Sequence, residues 1–180
     1  MARKKTRQKG KVSLVPKLFK DERVPKIGGI LCWLTAVYLS ISFLSYFYTW
    51  KTDQDKVLKY SWQLIFEGDL SVSNTMGRLG AIVSNFFIYW GIGLPSVVFI
   101  VLLLRLGYVL IKRKSITTFF FTAVNYVILA CFASLTLEFI FSTSEFAWGG
   151  TFGASTFIWL SRFIGTIGLF FLLLASTGIF

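Results

Sequence analysis

Apolar positions fall into four long stretches with few charges, separated by short polar segments. They cover residues 27–50, about 80–111, about 117–141 and about 153–180. Each is long enough to cross a hydrocarbon core of ~30 Å, which takes about 20 residues of α-helix. The pattern predicts an all-α membrane protein with four transmembrane helices arranged as two hairpins.

Composition supports lipid as the solvent for most of the chain. Hydrophobic residues make up 55% of the sequence, the mean hydropathy is +0.69, and only 15% of residues are charged. A soluble core of this size could not bury so much apolar surface. The residues from 27 to 180 are therefore predicted to form one four-span membrane domain, preceded by a polar tail at residues 1–26.

Residues for catalysis and cofactor binding are scarce. Histidine is absent, and the two cysteines, Cys32 and Cys131, each lie inside an apolar stretch. A zinc site, a disulfide scaffold and a histidine-based catalytic dyad therefore lack their parts. Nor is there a G-x-x-x-x-G-K-[ST] loop for a nucleotide phosphate. We expect a non-catalytic chain with no cofactor and no metal.

The distribution of basic residues predicts the topology. Ten Lys or Arg lie in residues 1–26 and three in residues 112–114, whereas the loop of residues 51–79 has four, balanced by four acids. Because cytoplasmic segments carry the excess of Lys and Arg, both chain termini are predicted to be cytoplasmic. The basic tail is expected to contact anionic lipid headgroups, with weak DNA contact as the alternative.

The loop of residues 51–79 is predicted to lie on the outer side. Apolar residues within it follow near-helical spacing with charges between and after them: Val57, Leu58, Trp62, Ile65 and Phe66. This stretch is too short to cross the bilayer. We expect a short helix lying in the outer interface.

Small residues mark candidate sites of helix packing. The motif Gly-x-x-Gly-Ala opens the second apolar stretch at residues 77–81 and the fourth at residues 150–154. Small side chains let helix backbones approach closely in lipid, although glycine is also simply common in membrane spans. The candidate packing residues are Gly80, Gly91, Gly93, Pro95, Gly153, Gly165 and Gly168, and Gly91, Gly93 and Pro95 are expected to bend the second span.

Two ionisable residues, Glu138 and Arg162, lie well inside the third and fourth apolar stretches. Charges inside a membrane usually face the helix bundle and find a partner. We expect Glu138 and Arg162 to form a structural ion pair. The alternatives are a proton or ion relay and extension of the Arg162 side chain to the outer surface.

Several runs resemble the N-terminal four-span membrane domain of FtsK/SpoIIIE-type DNA translocases, of a Bacteroidota-like variety. They are a basic tail, GRLGAIVS at residues 77–84, FFIYWGIGLP at residues 86–95, and the Trp-Gly-Gly-x-x-Gly turn at residues 148–153 before a span with Gly165 and Gly168. The resemblance covers the layout of the whole chain and about a third of it in recognisable motif.

The resemblance implies a membrane anchor and oligomerisation module, hexameric by family, of a translocase that couples chromosome segregation to cell division. It implies an inner-membrane location at the division septum, contacts with other division proteins, and a motor after residue 180 that would bind DNA, ATP and Mg²⁺. The alternative function is a small four-span transporter or channel subunit, with Glu138, Arg162 and the bent second span lining a path.

Overall fold

A computed structural model describes residues 23–57 and 71–177. These residues form helices and no strand. The α-helices are α1 (Arg23–Val57), α2 (Gly77–Asn85), α3 (Val97–Ile111), α4 (Ile116–Phe141) and α5 (Gly150–Thr177). A π-helical segment, Phe86–Ile92, and a 3₁₀ turn, Leu94–Ser96, connect α2 to α3.

Four of the helical regions are long and apolar enough to cross a membrane. They are Arg23–Asp53, Leu94–Ile111, Ile116–Phe141 and Gly150–Ser176. The prediction of an all-α protein with four transmembrane helices is confirmed. The cytoplasmic location of both termini stays a prediction, and the interfacial helix predicted beyond Val57 falls on residues outside the described ranges.

Helix α1 packs against α2 and α3 along much of its length. Near its beginning, Gly29 faces Gly107 of α3 so closely that a Cβ on either glycine would lie 2.7 Å from the carbonyl oxygen of the other. One turn further along α1, Trp33 Nε1 donates to the Leu104 carbonyl at 3.0 Å. The apolar core of this half is formed by Ala36, Leu39, Phe43, Tyr46, Ile88 and Ile100.

The two ends of the bundle differ in chemistry. One end, which we call the basic end, holds Arg23, Lys26 and residues 112–114, because the beginning of α1 packs against the end of α3. The opposite end, which we call the aromatic end, holds Trp50, Phe146 and Trp148. The two ends lie at opposite ends of α1, as expected for a helix that crosses the bilayer from one surface to the other.

The second predicted span is interrupted rather than gently bent. Gly91 has non-helical angles (φ −86°, ψ −133°), and Gly93 has φ 72° and ψ −145°. Glycine adopts a positive φ without the steric cost of a Cβ. Pro95 follows at the start of the 3₁₀ turn, where a missing backbone donor removes no helical hydrogen bond. The bend expected at Gly91, Gly93 and Pro95 is thus a complete break between the π-helical segment and α3.

Helix α5 is also not a straight rod. Gly165 has φ 75° and ψ 161°, which are non-helical angles. Phe139 of α4 lies 6.2 Å from Phe157 and 6.3 Å from Phe170, between ring centroids, although these two residues flank Gly165. Thirteen residues of straight helix would separate them by about 20 Å. The fourth apolar stretch therefore folds both of its parts onto α4.

Candidate functional site

Residues 71–76 run back along α1 into the depth of the bundle. The Asp53 carboxylate accepts hydrogen bonds from the backbone N–H of Ser73 at 2.8 Å and of Asn74 at 3.0 Å. The Asn74 side chain then donates to the Ser42 carbonyl at 3.1 Å. Asp53 and Ser42 are eleven residues apart on α1, which corresponds to about 16 Å of helical rise. Non-helical chain therefore lies beside the apolar part of α1.

Each backbone N–H in this non-helical segment, from residue 73 to residue 77, has a partner. Beyond the two bonds to Asp53, Thr75 donates to Ser45 Oγ at 2.9 Å, and Met76 donates to Asn74 Oδ1 at 3.0 Å. Gly77 donates to the Asn74 carbonyl at 2.8 Å. An unsatisfied backbone group in hydrocarbon costs several kcal/mol, so non-helical chain at this depth requires such partners.

Gly80 lies where α1, α2 and the segment of residues 71–76 meet. Its carbonyl accepts from Ser42 Oγ and from Ser84 Oγ, each at 2.7 Å. A Cβ on Gly80 would lie 2.7 Å from Asn74 Oδ1. Ser42 and Ser84 are fully buried and Asn74 is 4% exposed. Gly80, predicted from its motif, is therefore in the centre of a buried hydrogen-bond network.

The Gly-x-x-Gly-Ala motif at residues 150–154, with the two residues before it, packs against the break in the second span at residues 91–95. Leu94 N–H donates to the Trp148 carbonyl at 2.9 Å, and Thr151 Oγ1 donates to the Tyr89 carbonyl at 2.9 Å. A Cβ on Gly93 would lie 2.6 Å from the backbone of both Gly149 and Gly150. The segment of residues 148–151 thus joins the two halves of the chain: at the break, the Leu94 N–H finds an acceptor in Trp148, and the Tyr89 carbonyl finds a donor in Thr151.

Helix α4 holds the same turn from its other side. Ser134, which is fully buried, donates from Oγ to the Gly149 carbonyl at 2.6 Å. A Cβ on Gly153 would lie 2.8 Å from the Ser134 carbonyl oxygen. Gly153 is therefore a position of close approach between α4 and α5.

The remaining predicted small residues have other surroundings. A Cβ on Gly91 would meet the Phe86 carbonyl at 3.2 Å, within the π-helical segment. At Gly168 the nearest atoms belong to Ile164 of the same helix, and at Gly165 open space surrounds the added carbon. Gly165 thus contributes its backbone conformation and not a close helix contact.

The structure does not join Glu138 to Arg162. The Glu138 side chain lies against the turn at Gly149, where an added Cβ would lie 2.9 Å from Glu138 Cβ and 3.0 Å from its Oε2 atom. Arg162 is exposed on the first part of α5. Within residues 23–57 and 71–177, an ion pair forms instead between Lys51 and Glu145.

At the aromatic end, the segment before α5 covers α1. Phe146 contacts Tyr46, Phe47 and Trp50, with ring centroids 5.5 to 6.3 Å apart. Lys51 Nζ lies 2.6 Å from Glu145 Oε2. The hydrogen bond and the positive charge of Lys51 lower the pKa of the exposed Glu145 carboxyl. This contact adds a polar link between the two halves at the bundle surface.

Sequence reasoning missed several residues of the site. Asp53 and Asn74 belong to the predicted outer loop of residues 51–79, yet the structure buries them, at 3% and 4% exposed. The close pair Gly29 and Gly107 was also missed. A usable signal was the three-residue spacing of Ser42 and Ser45, which places both hydroxyls on one face of α1.

The polar groups of the site form hydrogen bonds that connect the helices to each other. Its members are hydroxyls, amides, one carboxylate and backbone groups, bonded to each other between helices. Among the described residues, no group of three or more His, Cys, Asp or Glu could hold a metal ion. The arrangement satisfies irregular backbone in apolar surroundings, which identifies the chain as a multi-pass α-helical membrane domain.

Comparison with protein families places this domain more narrowly. Residues 21–180 match the family described as the 4TM region of DNA translocase FtsK/SpoIIIE, and the chain belongs to this family. The resemblance seen in the runs of residues 77–95 and 148–168 is thereby confirmed. No curated protein and no solved structure matches the chain.

Proposed function

We propose that this chain is the membrane anchor and oligomerisation module of a septal DNA translocase that couples chromosome segregation to cell division. The observation that carries the proposal is the family match over residues 21–180. The chain itself would be non-catalytic. DNA, ATP and Mg²⁺ would bind to the motor part of the translocase, and the domain would reside in the bacterial inner membrane.

The buried polar groups favour an anchor over a transporter. A transport path through the second span would need accessible polar groups, and Ser84, Asn85 and Ser96 are the candidates in that span. All three are at most 1% exposed. Ser84 donates to the Gly80 carbonyl, Asn85 accepts from the Tyr46 hydroxyl at 3.3 Å, and Ser96 donates to the Phe87 carbonyl. The Asn85 amide nitrogen is buried without a hydrogen-bond partner among the described residues, and the other polar atoms of these side chains are bonded inside the bundle. Their burial supports packing.

The outer faces of α4 and α5 offer the surface for assembly. Only 17% and 11% of the residues in their apolar windows are buried, compared with 28% in α1. Trp159 and Phe163 stack with a centroid distance of 5.5 Å and are 62% and 74% exposed. Such a face suits either lipid or a neighbouring copy, and family membership favours a copy in the proposed oligomer.

The proposal is tested by fusing the full chain to a fluorescent protein in dividing bacteria, with an unrelated four-span protein as the control. We expect enrichment at the septum for this chain only. Native mass spectrometry in lipid nanodiscs should show a discrete oligomer. Uniform membrane fluorescence together with a monomeric mass would overturn the anchor and oligomer proposal.

Ion flux into proteoliposomes separates the anchor from the transporter alternative. We expect no flux above that of empty vesicles. The variants Glu138→Gln and Arg162→Gln are then measured for both flux and assembly. Flux by the native chain that either substitution abolishes, with the oligomer intact, would establish the transporter instead.

A further inference from the structure

A cleft between α3 and α4 opens beside the turn of residues 112–115 at the basic end. It contains a cavity of about 370 Å³. Val109 and Phe119 lie at its apolar part and are 7% and 8% exposed, whereas Arg105, Lys114 and Thr118 line it with polar groups. The cavity therefore combines an apolar wall with a cationic rim.

A second cavity of about 200 Å³ adjoins the first. The two share Val109 and Lys114, and the smaller one is also lined by Pro25 of α1 and by Arg113. Lys114 thus lies between two adjacent spaces. Together they form a groove along the basic end, which we call the Lys114 groove.

Two cationic side chains of the groove form cation–π contacts with tyrosine rings. Lys114 Nζ lies 4.8 Å from the centroid of the Tyr108 ring, and the Arg105 guanidinium lies 5.7 Å from that of Tyr126. Within the described ranges no carboxylate forms an ion pair with Arg105 or Lys114. Between Asp69 and Glu138 the sequence contains no acidic residue, so the charged side chains of α3 and of the turn at residues 112–115 are all positive, and α4 before Glu138 carries no charge. An aromatic face orients a cation and leaves its charge available to an anion.

The backbone fixes Lys114 at this place. Arg113 has φ 51°, in the left-handed region, and ends α3 with a hydrogen bond from Lys114 N–H to the Val109 carbonyl at 2.9 Å. Glycine is the usual residue at this position of a helix end. Arginine rarely adopts this left-handed conformation, and residues in such strained backbone conformations cluster at binding sites. Arg113 lies next to a cavity lined by cations, which fits that pattern.

The location of the groove indicates the class of ligand. Arg113 follows directly on Ile111 and Lys112 at the end of an 18-residue apolar helix, so the groove lies at the boundary of the hydrocarbon. A ligand there needs both an anionic group for the rim and apolar chains for the wall. Basic pockets between membrane helices bind lipid headgroups by this combination. We propose that the Lys114 groove binds the phosphodiester headgroup of an anionic phospholipid, a site separate from the packing network.

The proposal is tested with the full chain in phosphatidylcholine nanodiscs, by measuring the affinity for added phosphatidylglycerol by native mass spectrometry. We expect phosphatidylglycerol to bind more tightly than phosphatidylcholine of the same acyl chains. Lys114→Gln should weaken binding about fivefold and the double variant Arg105→Gln/Lys114→Gln about 25-fold. Lys112→Gln is the matched control, because Lys112 has the same charge in the same turn but lines neither cavity.

A further variant separates binding from folding. Arg113→Gly removes a charge while placing the preferred residue at the left-handed position, so it should weaken lipid binding about fivefold without lowering the lipid-free Tm. Equal loss of affinity in Lys112→Gln and Lys114→Gln would overturn the site in favour of diffuse surface charge. Equal binding of phosphatidylcholine would also overturn it. Binding of glycerol 3-phosphate or a short DNA oligonucleotide with the same affinity and the same dependence on Lys114 would replace lipid by free phosphate or nucleic acid.

Discussion

The half of the bundle formed by α1, α2 and α3 and the half formed by α4 and α5 differ in what joins their helices. In the first half, Asp53, Asn74 and Ser42 form a buried chain of hydrogen bonds between α1 and non-helical backbone. In the second half, Leu135, Leu169 and Leu173 form an apolar cluster. Both halves contain a helix interrupted at a glycine with positive φ, Gly93 in one and Gly165 in the other.

The difference follows from where irregular backbone lies. Residues 71–76 run beside apolar helix and need polar partners, because hydrocarbon offers none. Helix α4 is uninterrupted and satisfies its own backbone, so beyond the bond from Ser134 to Gly149 its contacts with α5 are mainly apolar. In lipid the hydrophobic effect does not bring helices together, so van der Waals packing must stabilise most of the contact between α4 and α5.

The largest effect is expected at the junction of the two halves. Gly93→Ala adds a carbon against the backbone of Gly149 and Gly150 at a positive φ, and should lower the free energy of unfolding by about 3 kcal/mol. Gly165→Ala is the matched control, since Gly165 has a similar φ and open space around the added carbon. Its angles lie in a region essentially restricted to glycine, so this variant should cost about 2 kcal/mol, less than Gly93→Ala. Denaturation in one detergent measures both. Equal losses would mean that the docked turn contributes little.

The next effect tests the polar network of the first half. Asn74→Ala removes the side-chain bonds to Ser42 and Met76 and should cost about 2 kcal/mol, since hydrogen bonds between membrane helices contribute up to ~1.7 kcal/mol each. Asn125→Ala makes the same change at an exposed position of α4 and should alter stability by less than about 0.5 kcal/mol. If the two variants unfold alike, the network is not what holds this half.

A smaller effect compares two serines of the second half. Ser134→Ala removes the bond to the Gly149 carbonyl and should cost about 1 kcal/mol. Ser161 Oγ is buried and has no hydrogen-bond partner among the residues that the structure describes, so Ser161→Ala should leave stability unchanged or raise it. Thermal unfolding of both variants provides the measurement. A larger loss from Ser161→Ala would show that this hydroxyl has a partner in the membrane.

The smallest effect concerns Glu145 at the aromatic end. Because Lys51 lowers its folded-state pKa, ionised Glu145 contributes stability above the unfolded-state pKa, and this contribution is lost as the pH falls through the folded value. Glu145→Gln should therefore lower Tm slightly at neutral pH and have no effect in strong acid. Thermal unfolding of both proteins across that pH range measures the difference. A constant difference at every pH would contradict a role for the ion pair.

Much of the domain follows from local sequence. The number and position of the apolar helices could be predicted, since hydropathy over about 20 residues decides whether a segment enters lipid. The site of the bend at Gly91, Gly93 and Pro95 could be located for a partly local reason, because glycine and proline weaken a helix interior. Local sequence did not decide that the helix breaks there, since Pro25, Gly28 and Gly29 lie within the continuous helix α1. The family itself was recognisable from short runs around these residues.

Tertiary structure decided which polar groups are buried and what they bind. Asp53 and Asn74 belong by composition to a solvated loop, and only their bonds to each other and to Ser42, distant in sequence, remove them from water. Glu138 similarly packs against Gly149 and not against Arg162, because a turn with no side chain at Gly149 fits against it. The sequence by itself determined where helices cross the apolar region, which depends on each segment's own transfer from water to lipid. The three-dimensional arrangement determined how the interruptions are satisfied, because each buried donor needs an acceptor that only packing can bring near.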